Sequence, residues 1–209
     1  MNDKTATPPN TATNPFNPGY WTEDELSAFG FCAIGANVRV AKNCTIIGMQ
    51  NISIGDNVRI DGPTVMSASS GYIRIGSHVH IGGMAFLAGG GGIELCDFSG
   101  LSQGVRVYSA SDDYSGSALT NPTVPKEYLN VKVAPVHLGR HVIVGSGSVI
   151  LPGCSIGEGV SVGAMSLVTK SLEPWGVYFG SPAKRIRARS KDLLSMEADL
   201  EAARQKRIP

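Results

Sequence analysis

The segment Leu138–Lys170 reads LGRHVI VGSGSV ILPGCS IGEGVS VGAMSL VTK, and an aliphatic residue returns in it at every sixth position. A six-residue period fits neither an amphipathic helix, with about 3.6 residues per turn, nor a half-buried strand, with a period of about two. Self-similarity at a fixed period is typical of stacked solenoids. The sequence therefore predicts that each hexad contributes one short parallel strand and that three hexads complete one triangular coil.

Two positions of each hexad are predicted to face the core. The first carries an aliphatic residue that stacks on its equivalent one coil away. The fifth carries a small or β-branched residue, because a larger one would overpack a tight corner. The predicted core positions of this segment are Leu138, Val144, Ile150, Ile156, Val162 and Val168, together with Val142, Ser148, Cys154, Val160 and Ser166.

The same pattern recurs upstream and locates one insertion. Similar blocks open at Ile52, Ile73, Ile93 and Val136, at spacings of 21, 20 and 43 residues. The last spacing exceeds one coil by roughly the length of another coil, so the excess must leave the solenoid. We predict an extruded loop over residues 108–135, which have no hexad register. A loop of this length inside a compact repeat is usually functional or disordered.

The chain as a whole predicts one all-β domain with short additions. We divide it into a flexible N-terminal arm (residues 1–19), a solenoid domain (residues 20–189) and a C-terminal helix (residues 190–209). The arm is rich in Pro, Asn and Thr, which disfavours a packed structure. Directly after it, Thr22 and Glu25 have the spacing of a capping box at the start of a helical turn.

Composition and charge restrict the functional classes. The 209 residues are 42% hydrophobic with a formal net charge of +1, whereas a general nucleic-acid binder would present a basic face. No stretch approaches the apolar length that crosses a membrane, and the N-terminus lacks the apolar core of a signal peptide. We therefore expect a cytoplasmic protein with no membrane insertion and no nucleic-acid partner.

The hexads, the looped-out insertion and the ending GAMSLVTKSLEPWGVYFGSPAKRIRAR together resemble the left-handed β-helix acyltransferases. The likeness is greatest to their galactoside, maltose and xenobiotic acetyltransferase branch, in which G-x-P-A-[KR] follows V-T-K. This resemblance implies a left-handed parallel β-helix and a homotrimer. It also implies acetyl-CoA as co-substrate in the groove between adjacent solenoids, a sugar acceptor under the neighbour's loop, and no metal.

The resemblance also implies which residues hold the coenzyme. A pantetheine arm needs small neighbours to lie flat against a coil, and phosphates need fixed cations with several donors. The expected contacts are Ser146 and Ala164 with the pantetheine arm, Thr169 and Lys170 toward the nucleotide, and Lys184 and Arg187 with the phosphates.

The acceptor side departs from the sugar O-acetyltransferases of this family, which have a basic histidine in the loop. Here VYSAS leads to Asp112, followed by Asp113 and Tyr114. A carboxylate is a poor base for a hydroxyl at neutral pH, whereas an amine is already nucleophilic and is attracted by acidic groups. The loop therefore favours N-acetylation of an amino sugar. The resemblance to the family members with SDD loops implies that this sugar is nucleotide-linked, as in surface polysaccharide or lipopolysaccharide biosynthesis. Asp112 would be catalytic, and Asp113 and Tyr114 would bind the acceptor; S-D-D-Y-S-G is also a good turn sequence.

A second candidate base is His80, which lies at an outward corner before the small-residue run that includes Gly89–Gly92. A neutral imidazole suits proton acceptance from an attacking amine. The glycine run allows close backbone approach to a bulky ligand, and it is equally consistent with a loose corner.

Three alternatives to this function stay open at the level of sequence. The first is O-acetylation of a sugar or glycan hydroxyl. The second is a γ-class carbonic anhydrase, which shares the solenoid but binds a metal through three histidines; the histidine spacings here do not match it. The third is a non-catalytic solenoid that serves as a scaffold or binding module.

Overall fold

The computed structural model describes residue 14 and residues 16–205, so most of the predicted N-terminal arm lies outside it. The chain forms a solenoid of short parallel strands that wind through three sheets. Sheet I contains β1 (Ala33–Ile34), β4 (Ile52–Ile54), β7 (Ile73–Ile75), β10 (Ile93–Leu95), β15 (Val136–Leu138) and β18 (Ser155–Ile156).

The other two sheets complete the triangular cross-section. Sheet II contains β2 (Arg39–Val40), β5 (Arg59–Ile60), β8 (His80–Ile81), β11 (Gly100–Leu101), β16 (Ile143–Val144), β19 (Ser161–Val162), β21 (Gly176–Phe179) and β22 (Lys184–Ala188). Sheet III contains β3 (Thr45–Ile47), β6 (Val65–Ser67), β9 (Phe86–Ala88), β12 (Arg106–Tyr108), β17 (Val149–Ile150) and β20 (Leu167–Val168).

The register of the coils is the one that the hexads predict. Ile73 pairs with Ile52 on one side and Ile93 on the other, and Ile93 pairs in turn with Val136. All predicted first and fifth positions between residues 138 and 168 are buried. Two fifth-position serines satisfy their hydroxyls on the backbone, since Ser148 Oγ and Ser166 Oγ both donate to the Gly163 carbonyl, at 3.0 and 2.8 Å. The buried hydroxyls of these two serines are therefore satisfied by a backbone carbonyl.

The predicted loop leaves the solenoid between β12 and β15. Its root is a short antiparallel pair of β13 (Ala110–Ser111) and β14 (Lys132–Val133), and a 3-10 helix (Lys126–Tyr128) lies farther out. The buried hydroxyl of Ser109 accepts from the Gly91 amide at 2.9 Å and donates to the Ala88 carbonyl at 2.6 Å. These bonds fix the loop to the coil beneath it.

The glycine run next to the loop has a structural explanation. A Cβ on Gly91 would lie 2.3 Å from the Ser109 carbonyl oxygen, and one on Gly92, whose φ is +97°, would meet the Tyr72 ring. At the root of the loop, these glycines therefore make room for the backbone and side chains of the protein itself. The glycine run is not evidence for a bulky ligand.

Both ends of the solenoid carry a helix. Helix α1 (Glu23–Ala28) begins with the predicted capping box of Thr22 and Glu25 and buries Leu26. Helix α2 (Leu193–Gln205) buries no residue of its own. Another 3-10 helix spans Met49–Asn51. Within residues 14 and 16–205, no helix is long and apolar enough to span a membrane.

Helix α2 is held against the solenoid by polar contacts. Glu197 bonds both Arg140 and the buried His141, the latter through His141 Nε2 at 2.8 Å. Just before the helix, Arg189 donates to the carbonyl oxygens of His141 and Gly159 at 2.7 and 3.1 Å. Within helix α2, Arg204 also lies 2.9 Å from His78 Nε2, so one carboxylate and two guanidinium groups attach the C-terminal segment to the solenoid.

Candidate active site

The two loop aspartates have different surroundings. Asp113 accepts hydrogen bonds from the amides of Ser115, Ser117 and Ala118 at 2.9 to 3.0 Å. The bonds from Ser115 and Ser117 are the main reason that its pKa lies well below the ordinary value. Its carboxylate is thus used by the turn, which is the alternative that S-D-D-Y-S-G leaves open. Any contact of Asp113 with the acceptor would have to be made in addition to these hydrogen bonds within the turn.

Asp112 is exposed and lies where two cavities meet. The larger cavity, about 710 Å³, lies between the loop root and the outer face of sheet III, where Val149 and Leu151 form part of its wall. Tyr114, which is 93% exposed, also lines it. The smaller cavity, about 510 Å³, lies within the loop, and only Asp112 and Val131 line both.

His80 projects from β8 on the outer face of sheet II, and a network of polar side chains centred on Asp61 holds one of its nitrogens. His80 Nε2 lies 2.9 Å from Asp61 Oδ2. Asp61 Oδ1 accepts from the Tyr20 hydroxyl and from Arg59 Nε, both at 2.7 Å. Burial alone would raise the pKa of Asp61, but the bonds from Arg59, His80 and Tyr20 outweigh it and lower that pKa to about 2. Asp61 is therefore ionised at neutral pH.

A column of small residues at the corner between sheets II and III contains two polar exceptions. Asp61 and Ser102 both occupy the second hexad position of their coils. The coil between them has glycine at this position, and so do the two coils that follow Ser102. A Cβ on that intervening glycine, Gly82, would lie 3.0 Å from the Ser102 carbonyl carbon, so the two coils stack closely. Neither residue was among the sequence candidates. The signal was the loss of glycine at a position where the repeat otherwise keeps it.

Within one chain, the two predicted catalytic residues do not meet. Asp112 lines the cavities of the loop, whereas His80 lines a separate cavity of about 280 Å³ with Gly100 and Ile143. Gly100 leaves this part of sheet II open, since the nearest atom to a Cβ there would be the His80 carbonyl oxygen at 3.7 Å.

The predicted coenzyme residues line one edge and the end of the solenoid. Ser146 and Ala164 occupy the same exposed corner of successive coils, and Ser146 Oγ bonds Gln103 at 3.3 Å in the coil before. Thr169 and Lys170 are exposed directly after β20. The small side chains give this corner the flat surface that the resemblance requires.

The basic C-terminal run divides into two kinds of residue. Lys184 and Arg187 lie on β22, which is exposed along its whole length and pairs antiparallel with β21. Arg189 is instead half-buried on carbonyl groups, and burial lowers its pKa. Lys184 and Arg187 are therefore accessible to phosphates, whereas Arg189 attaches the C-terminal segment to the solenoid.

The remaining histidines are engaged in packing. His78 and His141 stack on opposite sides of Phe98, with ring centroids 4.7 and 5.3 Å away. His137 Nδ1 lies 3.3 Å from Glu94, and its Nε2 lies 3.8 Å from the Cys96 thiol. In the part of the chain that the structure describes, no three His, Cys, Asp or Glu side chains are grouped as metal ligands would be.

Comparisons with known proteins identify the family. The family model "Bacterial transferase hexapeptide (six repeats)" matches residues 135–170. A dTDP-4-amino-4,6-dideoxy-D-glucose acyltransferase from Escherichia coli is 41% identical over 179 residues, which cover 86% of this chain and 93% of that protein. The chain belongs to the hexapeptide-repeat acyltransferases. The predictions of an enzyme and of an acyltransferase are thereby confirmed.

Solved structures agree with this assignment. AntD, an N-acyltransferase from Bacillus cereus in complex with dTDP and 3-hydroxybutyryl-CoA, is 42% identical with a TM-score of 0.86, covering 90% of this acyltransferase and 98% of AntD. The left-handed β-helix prediction is confirmed. A variant of AntD was solved with dTDP-4-amino-4,6-dideoxyglucose and coenzyme A. Its crystallised variants replace a serine and an aspartate that lie ten positions apart.

The xenobiotic branch is also represented. A chloramphenicol acetyltransferase from Klebsiella aerogenes is 43% identical over 65 residues, or 29% of this acyltransferase. That likeness is local, whereas the likenesses to the Escherichia coli acyltransferase and to AntD cover 86% and 90% of this acyltransferase.

Proposed function

We propose that this acyltransferase transfers the acetyl group of acetyl-CoA to the amino group of a dTDP-linked 4-amino-4,6-dideoxy sugar. The observation that carries the proposal is the exposed carboxylate of Asp112 between two cavities, in a chain that is similar over most of its length to enzymes of that substrate class. The proposal narrows the predicted nucleotide-linked amino sugar to one nucleotide, dTDP, and to an amino group at carbon 4. We place the reaction in the cytoplasm and in the biosynthesis of a surface polysaccharide or lipopolysaccharide.

The acceptor amine would be held by Asp112, and the thioester carbonyl oxygen would face Ser102. Asp112 and Ser102 are ten positions apart, which is the spacing of the aspartate and serine replaced in the AntD variants. A carboxylate attracts the ammonium group and, once that group has released one proton to water, orients the neutral amine by accepting a hydrogen bond from it. A hydroxyl can donate to the thioester carbonyl oxygen as negative charge develops on it. Tyr114 would form an aromatic wall of the acceptor cavity, and Asp113 would keep the loop in the shape that presents Asp112.

His80 would accept the proton that the amine loses. A carboxylate is generally a weak base at neutral pH, whereas a neutral imidazole has a lone pair for this proton. Because Asp112 and His80 line separate cavities of one chain, we place the site between subunits of a homotrimer. The loop of one subunit would bring Asp112 to the His80 face of its neighbour.

The coenzyme would lie along the corner of Ser146 and Ala164. When bound, acetyl-CoA supplies the acetyl group as a thioester, which the amine attacks directly while the thiol of coenzyme A leaves. The small side chains of this corner leave room for the pantetheine arm. Thr169 and Lys170 would lie beside the nucleotide, and Lys184 and Arg187 would bind the phosphates as fixed cations. No metal is part of this proposal.

The test is the release of coenzyme A from acetyl-CoA in the presence of dTDP-4-amino-4,6-dideoxyglucose and of the matched sugar with a hydroxyl at that carbon. Turnover with the amine alone, with an amide product by mass spectrometry, is expected. Turnover with the hydroxyl sugar alone would replace the proposal by O-acetylation. Faster turnover with longer acyl-CoA donors would keep the acceptor and correct the donor.

A further inference from the structure

We propose that Asp61 is the positioning residue of the acetyl transfer, holding His80 with its Nδ1 lone pair directed to the acceptor amine. This inference rests on the proposed function, because it assigns a partner to the proposed base. It adds a residue from the second coil of the solenoid, far in sequence from the loop and from the coenzyme corner.

The first step of the argument is the fixed orientation of the Asp61 carboxylate. Two donors occupy Oδ1, the Tyr20 hydroxyl and Arg59 Nε, and each lies at 2.7 Å. Oδ2 is thereby directed to His80 Nε2 at 2.9 Å. The donors come from separate parts of the fold, since Arg59 lies on β5 and Tyr20 bridges to Ala41 beside the first coil. Because Asp61 is already fixed by these donors, its contact with His80 costs less conformational entropy to form than an isolated surface ion pair does.

The second step is the tautomer that this contact selects. An ionised carboxylate has only acceptor sites, so a neutral His80 must carry its hydrogen on Nε2 and keep its lone pair on Nδ1. The side chain of Asp61 is 21% exposed, whereas that of His80 is 51% exposed. The carboxylate is thus recessed while the imidazole remains open to an acceptor.

The third step is the chemistry that this arrangement allows. As the amine nitrogen forms its bond to the thioester carbonyl carbon and the carbon–sulfur bond breaks, one proton moves from that nitrogen to His80 Nδ1. The imidazolium that results is stabilised by the negative charge of Asp61, and it returns the proton to the leaving thiolate or to water. A fixed tautomer and a stabilised imidazolium are what a carboxylate supplies to a histidine base.

The experiment compares Asp61→Asn, His80→Asn and the double variant. We expect Asp61→Asn to lower kcat about tenfold to a hundredfold with KM for both substrates within about twofold, since positioning affects the transition state more than binding. The double variant should be no more than about twofold slower than His80→Asn alone. Asp56→Asn is the matched control, because Asp56 is an exposed corner aspartate whose Oδ1 accepts only from the Ala36 amide among the residues that the structure describes.

A measurement that does not depend on turnover separates failure of the positioning role from failure of the proposed function. Nitrogen-15 NMR of the imidazole should show the Nε2–H tautomer of His80 in the parent protein and a mixture in Asp61→Asn. An unchanged tautomer, normal kcat in Asp61→Asn, or losses that multiply in the double variant would each overturn the positioning role. Normal turnover in His80→Asn would overturn it as well, by removing the base, while N-acetylation itself would stand. A parent enzyme that acetylates only hydroxyl sugars would defeat the proposed function, and the tautomer would still decide whether Asp61 orients His80.

Discussion

Asp112 and Asp113 are neighbours in sequence, yet among the residues that the structure describes only Asp113 has its carboxylate bonded by the loop itself. Asp113 is bound by three loop amides and by the Ser117 hydroxyl at 2.8 Å. Asp112 lies at the junction of the two loop cavities. The pair therefore separates into a residue that shapes the loop and a residue that faces the acceptor.

Replacing each aspartate by asparagine should give different kinetic results. We expect Asp112→Asn to lower kcat by at least about a hundredfold, because the charge that orients the amine is lost. Asp113→Asn keeps an acceptor oxygen for the turn and should mainly raise KM for the acceptor. Steady-state kinetics with both substrates varied decide between them. Equal losses of kcat in the two variants would show that the loop acts as a unit and that Asp112 has no separate role.

Ser102→Gly should reduce catalysis and leave the fold intact. Glycine is the residue of adjacent coils at this corner, as at Gly82 and Gly145, so the substitution introduces no strain in the column. If the Ser102 hydroxyl donates to the developing oxyanion, kcat should fall about a hundredfold. The measurement is kcat together with the thermal midpoint of unfolding, and Ser161→Ala on the outer face of β19 is the control. Normal kcat in Ser102→Gly would remove the residue from the proposed site.

The repeat and its core were predictable because each coil is a local pattern. The first hexad position must fill the same narrow space in every coil, so Leu138 and Val168 could be placed from their spacing alone. The contact between Asp61 and His80 is instead diagonal, because the residue that pairs with His80 is Arg59. No periodicity specifies which side chains bond across neighbouring coils. Asp112 and Asp113 differ through the backbone of a loop that has no repeat, and this difference could be expected from turn chemistry only as an alternative.

The basic strand offers a prediction about coenzyme binding. Lys184→Gln and Arg187→Gln should each raise KM for acetyl-CoA about fivefold to tenfold with little change in kcat, because phosphate contacts are equally strong before and during the reaction. Arg189→Gln should instead lower the thermal midpoint, since it leaves carbonyl groups without the guanidinium donor. Initial rates and thermal unfolding of the three variants test both statements. A lower kcat with unchanged KM in Lys184→Gln or Arg187→Gln would contradict the proposed phosphate contact.

The low pKa of Asp61 predicts how the free energy of unfolding depends on pH. In the unfolded chain this carboxyl group returns to an ordinary pKa near 4, whereas in the folded protein its pKa is about 2. The folded state therefore binds fewer protons between these values. The stabilisation is complete above roughly pH 5 and is lost as the pH falls toward 2.

Asp61→Asn isolates this contribution. At pH 7 the variant should be less stable than the parent by about 1 to 2 kcal/mol, after allowing for the solvent that screens a partly exposed network. The difference should shrink steadily below about pH 4, because the parent loses the contribution that the variant already lacks. Urea unfolding at pH 7, 4 and 2.5 measures it, with Asp56→Asn as the control for removing an exposed carboxylate. A difference that stayed constant down to pH 2.5 would mean that the contacts of Asp61 do not depend on its charge.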